Sequence, residues 1–313
     1  MLENIAIDTL VTGLPLIPVV LAVFVVLRIR EDFDLTIEGS FALGGSVAAI
    51  LIAHDGNPFL AVVAGAAAGA AAGLVTSAIT LAFRLPVLLA GLLMTMFLFS
   101  VSLRVLDAPT VSLAGHRTVF SGVADGVSRQ SDLATCGVLA VAVIVMLAGF
   151  AYFLRTDMGL ALRASGANVR MVRSHGVSDR WLLVVSLVMA NALSAFGGCL
   201  MVQVQGYGDV NMGSGVFLAG VGAVLLGVLI MNPGGSQVMR IAAAVLIGGL
   251  LYRLILVAAL RAGLSAGDLK AVTALTLIIA VAAQSHLVPL VRKYANLWRP
   301  APGSAQVATE KDL

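Results

Sequence analysis

Long apolar blocks are the feature that most restricts what this chain can fold into. They run for about 17 to 26 residues, long enough to cross a hydrocarbon core of about 30 Å as helices. Of the 313 residues, 60% are hydrophobic and only 11% are charged, whereas a soluble domain carries about 25% charged residues. We therefore predict an all-α integral membrane protein with about nine transmembrane helices, within a range of eight to ten.

The blocks place the predicted crossings in two groups of four, separated by a single crossing and two polar loops. The loop between the fourth and fifth crossings covers residues 106–132, and the loop between the fifth and sixth covers 155–180. The predicted crossings are 10–28, 37–53, 58–83, 86–104, 133–154, 181–202, 214–231, 240–260 and 270–289.

The orientation follows from the positions of Lys and Arg, because cytoplasmic loops near helix ends are enriched in both. Thirteen of these residues lie on one side of the predicted arrangement, and the other side holds Arg104, Arg117, Arg129, Arg261 and Lys270. The N-terminus is therefore predicted to be outside and the C-terminus cytoplasmic. Arg253 falls within the eighth crossing, where we favour snorkelling or pairing inside the bundle over a role in binding a solute.

An internal similarity at an offset of 175 residues indicates a repeat. The segment 34–51 aligns without gaps on 209–226, and the register continues across the next crossing. The odd number of crossings between the two copies inverts the second one, an arrangement common in transporters because two similar halves can exchange conformations. The most informative matches are Asp34 with Asp209, Gly45 with Gly220, Asn57-Pro58 with Asn232-Pro233, and Gly73 with Gly248.

The repeat suggests a division of the chain into one membrane domain, residues 1–290, and a tail. Repeat one covers about 10–105, a linker crossing covers 133–154, and repeat two covers about 181–289. Residues 291–313 form a polar stretch that we predict to be a disordered cytoplasmic tail.

Small and polar residues mark the candidate functional positions. Gly65, Gly69 and Gly73 lie on one helix face, which predicts close packing within the subunit, with a dimer contact as the alternative. The run QVQGYGDVNMGSG resembles a broken or re-entrant segment, since polar backbone at membrane depth must be buried in protein or line a wet cavity. An ordinary outer loop is the alternative. The candidate pathway residues are Glu38, Ser40, Gln203, Gln205 and Asn211.

Catalytic and metal sites are not expected. The four histidines are scattered in or beside loops, and Cys136 and Cys199 lie in apolar segments without metal-type spacing. No phosphate-binding GxxxxGK[ST] sequence is present, so the chain itself is not expected to hydrolyse ATP. The net charge of only +3 gives no indication of a nucleic-acid partner, and no cofactor is expected.

The stretch ALRASGANVRMVRSHGVSDRW, followed by an apolar helix and QGYGDVNMGSGVFLAGVGAVLLG, resembles the permeases of branched-chain amino acid and simple-sugar ABC importers. DLTIEGSFALGGSVAA is closer to their tryptophan/tyrosine permease subgroup. The resemblance covers about residues 10–290. It departs from the family at Met171 and Val172, where smaller residues are common.

The resemblance implies a permease in the inner membrane of a bacterium. It would pair, often as a homodimer, with two cytoplasmic ATP-binding subunits and an extracytoplasmic solute-binding protein. It also implies that the 155–180 loop holds a coupling helix that transmits movement of the ATPase subunits. Its candidate residues are Arg163, Ala164, Gly166, Asn168, Arg173 and Gly176.

Two other functions compete with this expectation. A secondary transporter driven by an ion gradient is also compatible with inverted repeats, although the crossings hold few acidic residues besides Glu38 for an ion relay. A membrane enzyme or scaffold is disfavoured by the absence of a catalytic cluster. An aromatic or branched-chain amino acid is the implied solute, and a sugar or nucleoside stays open.

Overall fold

The computed structural model describes residues 2–121, 129–231 and 238–284. Within these ranges, eight helices are long and apolar enough to cross a membrane, which confirms the prediction of an all-α membrane protein. A further apolar helix of 14 residues, Leu269–Ala282, is shorter than the others. The total of nine crossings and the orientation therefore stay predictions. The proposed tail, 291–313, and the Asn232-Pro233 pair lie outside the described residues.

The first span, Ile5–Arg30, is built from several consecutive helical segments. They are α1 (Leu2–Gly13), a 3-10 turn (Leu14–Leu16), α2 (Ile17–Phe24) and a π-helical turn (Val25–Arg30).

The elements of the middle of the chain follow in order: α3 (Thr36–Ala53), α4 (Pro58–Phe83), α5 (Val87–Leu106), β1 (Thr110–Ser112), α6 (Arg129–Phe153), α7 (Asp157–Ala167) and α8 (Val169–Ser174). The elements after this point are α9 (Asp179–Gln205), β2 (Tyr207–Asp209), a 3-10 turn (Val210–Gly213), α10 (Val216–Met231), α11 (Val238–Arg261), a 3-10 turn (Ala266–Asp268) and α12 (Leu269–Ala282).

The centre of the bundle is formed by the first span, α3 and α9, which are the most buried of the membrane helices. Helices α4, α5 and α6 lie at the periphery and expose large apolar side chains such as Phe59, Met96 and Ile144. Such an apolar exterior suits a helix bundle whose surrounding solvent is lipid.

The helices of the two halves of the chain pack in a reciprocal pattern, and the inverted repeat itself stays a prediction. The end of the first span meets the start of α9 at one end of the bundle, where Arg30 Nη1 lies 2.6 Å from Asp179 Oδ1. Helix α9 packs against α3 and α4, and in the same way the first span packs against α10 and α11. At the offset of 175 residues seen in the sequence, the first span corresponds to α9 within one residue, whereas α10 and α11 each begin five residues later than α3 and α4 would place them.

The same local hydrogen bond is found at the two aspartates that the sequence alignment pairs. Asp34 Oδ1 accepts a hydrogen bond of 2.8 Å from the backbone N–H of Thr36, and Asp209 Oδ1 accepts one of 2.6 Å from that of Asn211. An aspartate that satisfies the backbone two residues further on is a common way to open a turn or helix. The aligned aspartates therefore share one structural role.

The polar segment between α9 and α10 turns back into the bundle alongside α3. β2 pairs antiparallel with β1, with Asp209 opposite Thr110. A Cβ at Gly208 would contact Ala49, and one at Gly213 would collide with the backbone carbonyl of Glu38. Ala49 and Glu38 are separated by about 16 Å along α3 at 1.5 Å per residue, so this segment follows α3 to a considerable depth before α10 begins.

Candidate solute cavity and coupling loop

A cavity of about 660 Å³ lies between the first span, α3, α9, the start of α10, α11 and α12. Its apolar walls include Leu16, Phe41, Met201 and Leu256. Its polar lining residues are Glu38, Gln205, Tyr207, Asp209, Asn211, Ser214, Tyr252, Arg253, Lys270 and Thr273. A mostly apolar cavity with a few placed polar groups is typical of sites that bind small molecules.

Glu38 projects from the first turn of α3 towards the beginning of α10. Its Oε1 accepts hydrogen bonds from the backbone N–H groups of Gly215, at 3.1 Å, and Phe217, at 3.3 Å. Backbone N–H groups at a helix N-terminus have no partner within their own helix and favour negative charge. The start of α10 therefore fixes one oxygen of the carboxylate.

Arg253 projects from α11, a membrane-spanning helix, into the same cavity. Its Nε donates a hydrogen bond of 2.8 Å to Thr12 Oγ1. The Thr12 hydroxyl in turn donates to the backbone carbonyl of Asp8. Arg253 belongs to none of the ion pairs found among the described residues, although a charge at membrane depth is costly without a partner.

Hydrogen bonds join α11 to α12 beside the cavity. Tyr252 donates its hydroxyl proton to Thr273 Oγ1 at 2.8 Å, and Thr273 donates to the backbone carbonyl of Leu269 at 2.9 Å. Lys270 lies one turn earlier on α12 and lines the cavity with an exposed side chain. The short α12 is therefore held so that its first turns close one side of the cavity.

The structure separates the five predicted pathway residues into two groups. Glu38, Gln205 and Asn211 line the cavity, and Glu38 and Asn211 also line a smaller neighbouring cavity of about 240 Å³. Ser40 is buried and donates a hydrogen bond of 2.7 Å to Asn191 Oδ1. Gln203 is also buried, and its Oε1 accepts a hydrogen bond of 2.8 Å from the backbone of Val119.

A buried polar network holds the start of α3 against α9. Asn191 Nδ2 donates to Asp34 Oδ2 at 2.7 Å, while Asn191 Oδ1 accepts from Ser40. Loss of solvation on burial raises the pKa of the Asp34 carboxyl, and the hydrogen bonds from Thr36 and Asn191 oppose part of this rise. Because its members hydrogen-bond to one another, the network suits a structural role in positioning α3.

The glycine face of α4 packs against α9 of the same chain. A Cβ at Gly69 would lie 2.5 Å from the backbone oxygen of Asn191, and one at Gly65 would lie 2.7 Å from that of Gly44 on α3. At Gly73 the neighbour is the backbone of Leu187. All three positions bring backbones too close for any side chain, as small-residue motifs in membrane helices do.

The 155–180 loop forms two short helices, α7 and α8, at the end of the bundle that holds Arg30 and Asp179. Helix α7 packs on the π-helical turn that ends the first span. A Cβ at Gly166 would collide with the backbone carbonyl of Ile29. Ala164 packs against the main apolar core, and Arg163 donates a hydrogen bond of 3.0 Å to the backbone carbonyl of Leu154.

The junction between α7 and α8 is shaped by Asn168, and the end of α8 by Gly176. Asn168 Oδ1 caps α8 by accepting from the backbone N–H of Met171 at 3.1 Å. Gly176 has a φ of +79°, a left-handed conformation that favours glycine just after a helix. These two residues give the loop a defined shape.

Asp179, the first residue of α9, binds two arginines. Its Oδ1 lies 2.6 Å from Arg30 Nη1 and its Oδ2 lies 3.3 Å from Arg173 Nη2. Arg30 also pairs with Asp32 at 3.1 Å. Burial raises the pKa of the Asp32 carboxyl, against the opposing effect of Arg30. The group ties the first span and α8 to α9.

Comparison with known proteins assigns the chain to a family. Residues 5–282 match the family described as the permease component of branched-chain amino acid transport systems. The chain belongs to this family. The resemblance to the permease family is therefore confirmed, and with eight apolar helices among the described residues the protein is a multi-pass protein of the bacterial inner membrane.

Two similar proteins cover nearly the whole chain. The tyrosine transport system permease protein of Clostridioides difficile (strain R20291) is 27% identical over 277 residues, which span 88% of this chain and 90% of that protein. An uncharacterized protein of Rickettsia prowazekii (strain Madrid E) is 29% identical over 287 residues, spanning 89% of this chain and 97% of its own length. No solved structure matches the chain.

Sequence reasoning passed over several of the residues that line the cavity. It interpreted Arg253 as snorkelling or paired, and it gave no role to Tyr252, Lys270 or Thr273. The available signal was an arginine inside the eighth crossing with no acidic residue within four positions on its own helix. That pattern indicates that any partner must come from elsewhere.

Proposed function

We propose that this permease forms the transmembrane pathway of an ATP-driven importer for an amino acid, aromatic or branched-chain. Two copies of the chain would associate with two cytoplasmic ATP-binding subunits. An extracytoplasmic binding protein would deliver the solute to the opposite face. The family match and the similarity to the tyrosine transport system permease protein support this assignment.

The observation that carries the proposal is the position of the α7–α8 loop. Its helix α7 contacts the last turn of the first span through Gly166, and Arg173 on α8 pairs with Asp179 at the start of α9. One loop therefore contacts the first helix of both repeat units. A movement of the loop, caused by an ATPase subunit, would be transmitted to both units at the same time, as alternating access requires.

The orientation that this function needs agrees with the distribution of charge. The loop carries Arg155, Arg163, Arg170, Arg173 and Arg180. Such an excess of arginine favours the cytoplasmic side. The cavity near Tyr207, Asp209 and Lys270 lies towards the opposite end, which would receive solute from outside.

The first test is affinity purification of the tagged chain from native membranes, followed by mass spectrometry of the proteins that co-purify. We expect an ATPase subunit to be recovered with the wild type and lost with an Arg173→Glu variant, which reverses a charge that is 65% exposed on the loop. Gly166→Arg provides a second, stronger disruption. Arg117→Glu makes the same charge reversal at the opposite end and should retain the ATPase. Recovery of no ATPase with the wild type would contradict the proposal.

A secondary transporter is the second candidate, and Asp34 is the observation that favours it. Its raised pKa and complete burial give the bundle one carboxyl that can hold a proton. Uptake of radiolabelled L-tyrosine by intact cells, with the proton gradient collapsed and ATP maintained, separates the two functions. We expect uptake to persist, and its loss would favour the secondary transporter.

A further inference from the structure

The charged groups of the cavity have unused binding capacity. In the part of the chain that the structure describes, Arg253 bonds only through Nε, and Nη1 and Nη2 have no protein acceptor. Glu38 uses only Oε1, and Oε2 has no donor there. Neither residue forms an ion pair with any described residue.

The Arg253 side suits an anion with two oxygens. The bond to Thr12 fixes the guanidinium at Nε, so the two terminal nitrogens can present N–H groups to a carboxylate in the bidentate way that arginine favours. Lys270 on α12 also lines the cavity, where its charge acts on Glu38. A half-buried arginine without a protein anion can form charge-assisted hydrogen bonds with an anion that a ligand supplies.

The Glu38 side suits a cation. The two N–H groups at the start of α10 hold the carboxylate in place, and Oε2 remains available to accept a hydrogen bond. An ammonium group is a three-donor cation that such a carboxylate can bind by a charge-assisted hydrogen bond. The apolar walls near Phe41 and Met201 would receive the uncharged part of the same molecule.

The positions that align with these charged residues at the offset of 175 residues are uncharged. The residues 175 positions before Arg253 and Lys270 are Ala78 and Thr95, and the residue 175 positions after Glu38 is Gly213. Thr95 is used structurally, since its hydroxyl hydrogen-bonds to the Leu35 backbone carbonyl at 2.6 Å. The first unit carries Glu38 and the second carries Arg253 and Lys270, and in each case the other unit has an uncharged residue at the corresponding position.

We infer that this cavity recognises a zwitterionic α-amino acid by its backbone groups. Arg253 binds the α-carboxylate, Glu38 binds the α-ammonium group, and Thr12 positions Arg253. The inference rests on the proposed function and narrows it, because a neutral sugar or nucleoside offers neither charge. The side chain of the solute lies against the apolar wall.

The test is equilibrium binding to the full-length permease in lipid nanodiscs, without its partners. The probes are L-tyrosine, tyramine, which lacks the carboxylate, and 3-(4-hydroxyphenyl)propionate, which lacks the ammonium group. L-leucine, 3-methylbutylamine and 4-methylpentanoate form a second set. We expect the wild type to bind one of the two amino acids about tenfold or more tightly than both of its analogues, because each missing group removes a charge-assisted hydrogen bond.

Two variants separate recognition from a structural role. Arg253→Gln should abolish the preference for the amino acid over the amine but keep its preference over the acid. Glu38→Gln should abolish the preference for the amino acid over the acid but keep its preference over the amine. Arg253→Lys keeps the charge and should retain part of the first preference, so it tests the site even if Arg253→Gln folds poorly. Equal weakening of all three probes in both variants would overturn the inference.

The outcomes also separate this inference from the proposed function. Co-purification of an ATPase together with ribose binding, or with no preference for the zwitterion, would overturn the inference and leave the importer intact. Selective binding of an amino acid without any associated ATPase would support the cavity assignment and contradict the ATP-driven function.

Discussion

Substitution of Gly69 by alanine tests the packing of α4 on α9, and its cost can be worked from the structure. The added Cβ would lie 2.5 Å from the backbone oxygen of Asn191 and would collide with the Ala195 side chain. Ordinary contacts are about 3.5 to 4.0 Å, so the helices would have to separate by about 1 Å. Such a gap forfeits up to about half of the dispersion energy of the contacts that line it.

The expected cost of Gly69→Ala is about 1 to 3 kcal/mol of unfolding free energy, the usual range for overpacking. The matched controls are Gly137→Ala and Gly149→Ala on α6, where a Cβ would meet nothing within 4 Å. There the better helix propensity of alanine should leave stability unchanged or raise it by up to about 1 kcal/mol.

The assay is reversible unfolding of the purified protein in mixed detergent micelles, followed by circular dichroism. We expect the unfolding free energy of Gly69→Ala to be lower than that of Gly137→Ala and of Gly149→Ala. If Gly69→Ala were as stable as the two α6 variants, α4 and α9 would not be in backbone contact, and the described packing would be refuted.

Two further predictions concern ionisable groups. Because burial raises the pKa of Asp34, its contribution to stability is full below about pH 3.9, the ordinary value, and is lost as pH rises through the raised folded value. The stability of the wild type relative to Asp34→Asn, measured by unfolding across this range, should therefore fall with rising pH, and a constant difference would contradict it. Arg30→Gln should lower the unfolding free energy by about 1.5 to 3 kcal/mol, because the Arg30 side chain is only 9% exposed. Arg173→Gln should lower it by less than about 1 kcal/mol, because the Arg173 side chain is 65% exposed. Thermal unfolding that ranks the two variants in the opposite order would exclude this account.

The helices of the fold could be predicted closely from the sequence, and α4 shows why. Its predicted limits, 58–83, are those of the structure, Pro58–Phe83. Asn57 accepts a hydrogen bond from the backbone of Phe59 at 2.9 Å, and proline occupies the first turn, so the start of the helix is determined by adjacent residues. Such local signals are visible without any tertiary information.

The candidate cavity was less accessible to sequence reasoning because it depends on helix rotation and on distant partners. Gln203 and Gln205 are two positions apart on α9, which turns them about 200° from one another at 3.6 residues per turn. Consequently Gln203 is buried against Val119 while Gln205 lines the cavity. Arg253 is likewise anchored by Thr12 at the other end of the chain, a contact that no local pattern indicates.

Under the proposed inverted repeat, the position of the two cationic cavity residues in the second unit has a consequence for the direction of transport. If the units exchange conformations, the inward-facing state forms its opening where Ala78 and Thr95 replace Arg253 and Lys270. A solute that is held by charge on the outer side would meet neutral residues on the inner side. The outward-facing state of the permease would then bind the solute tightly, and the inward-facing state would bind it weakly and release it.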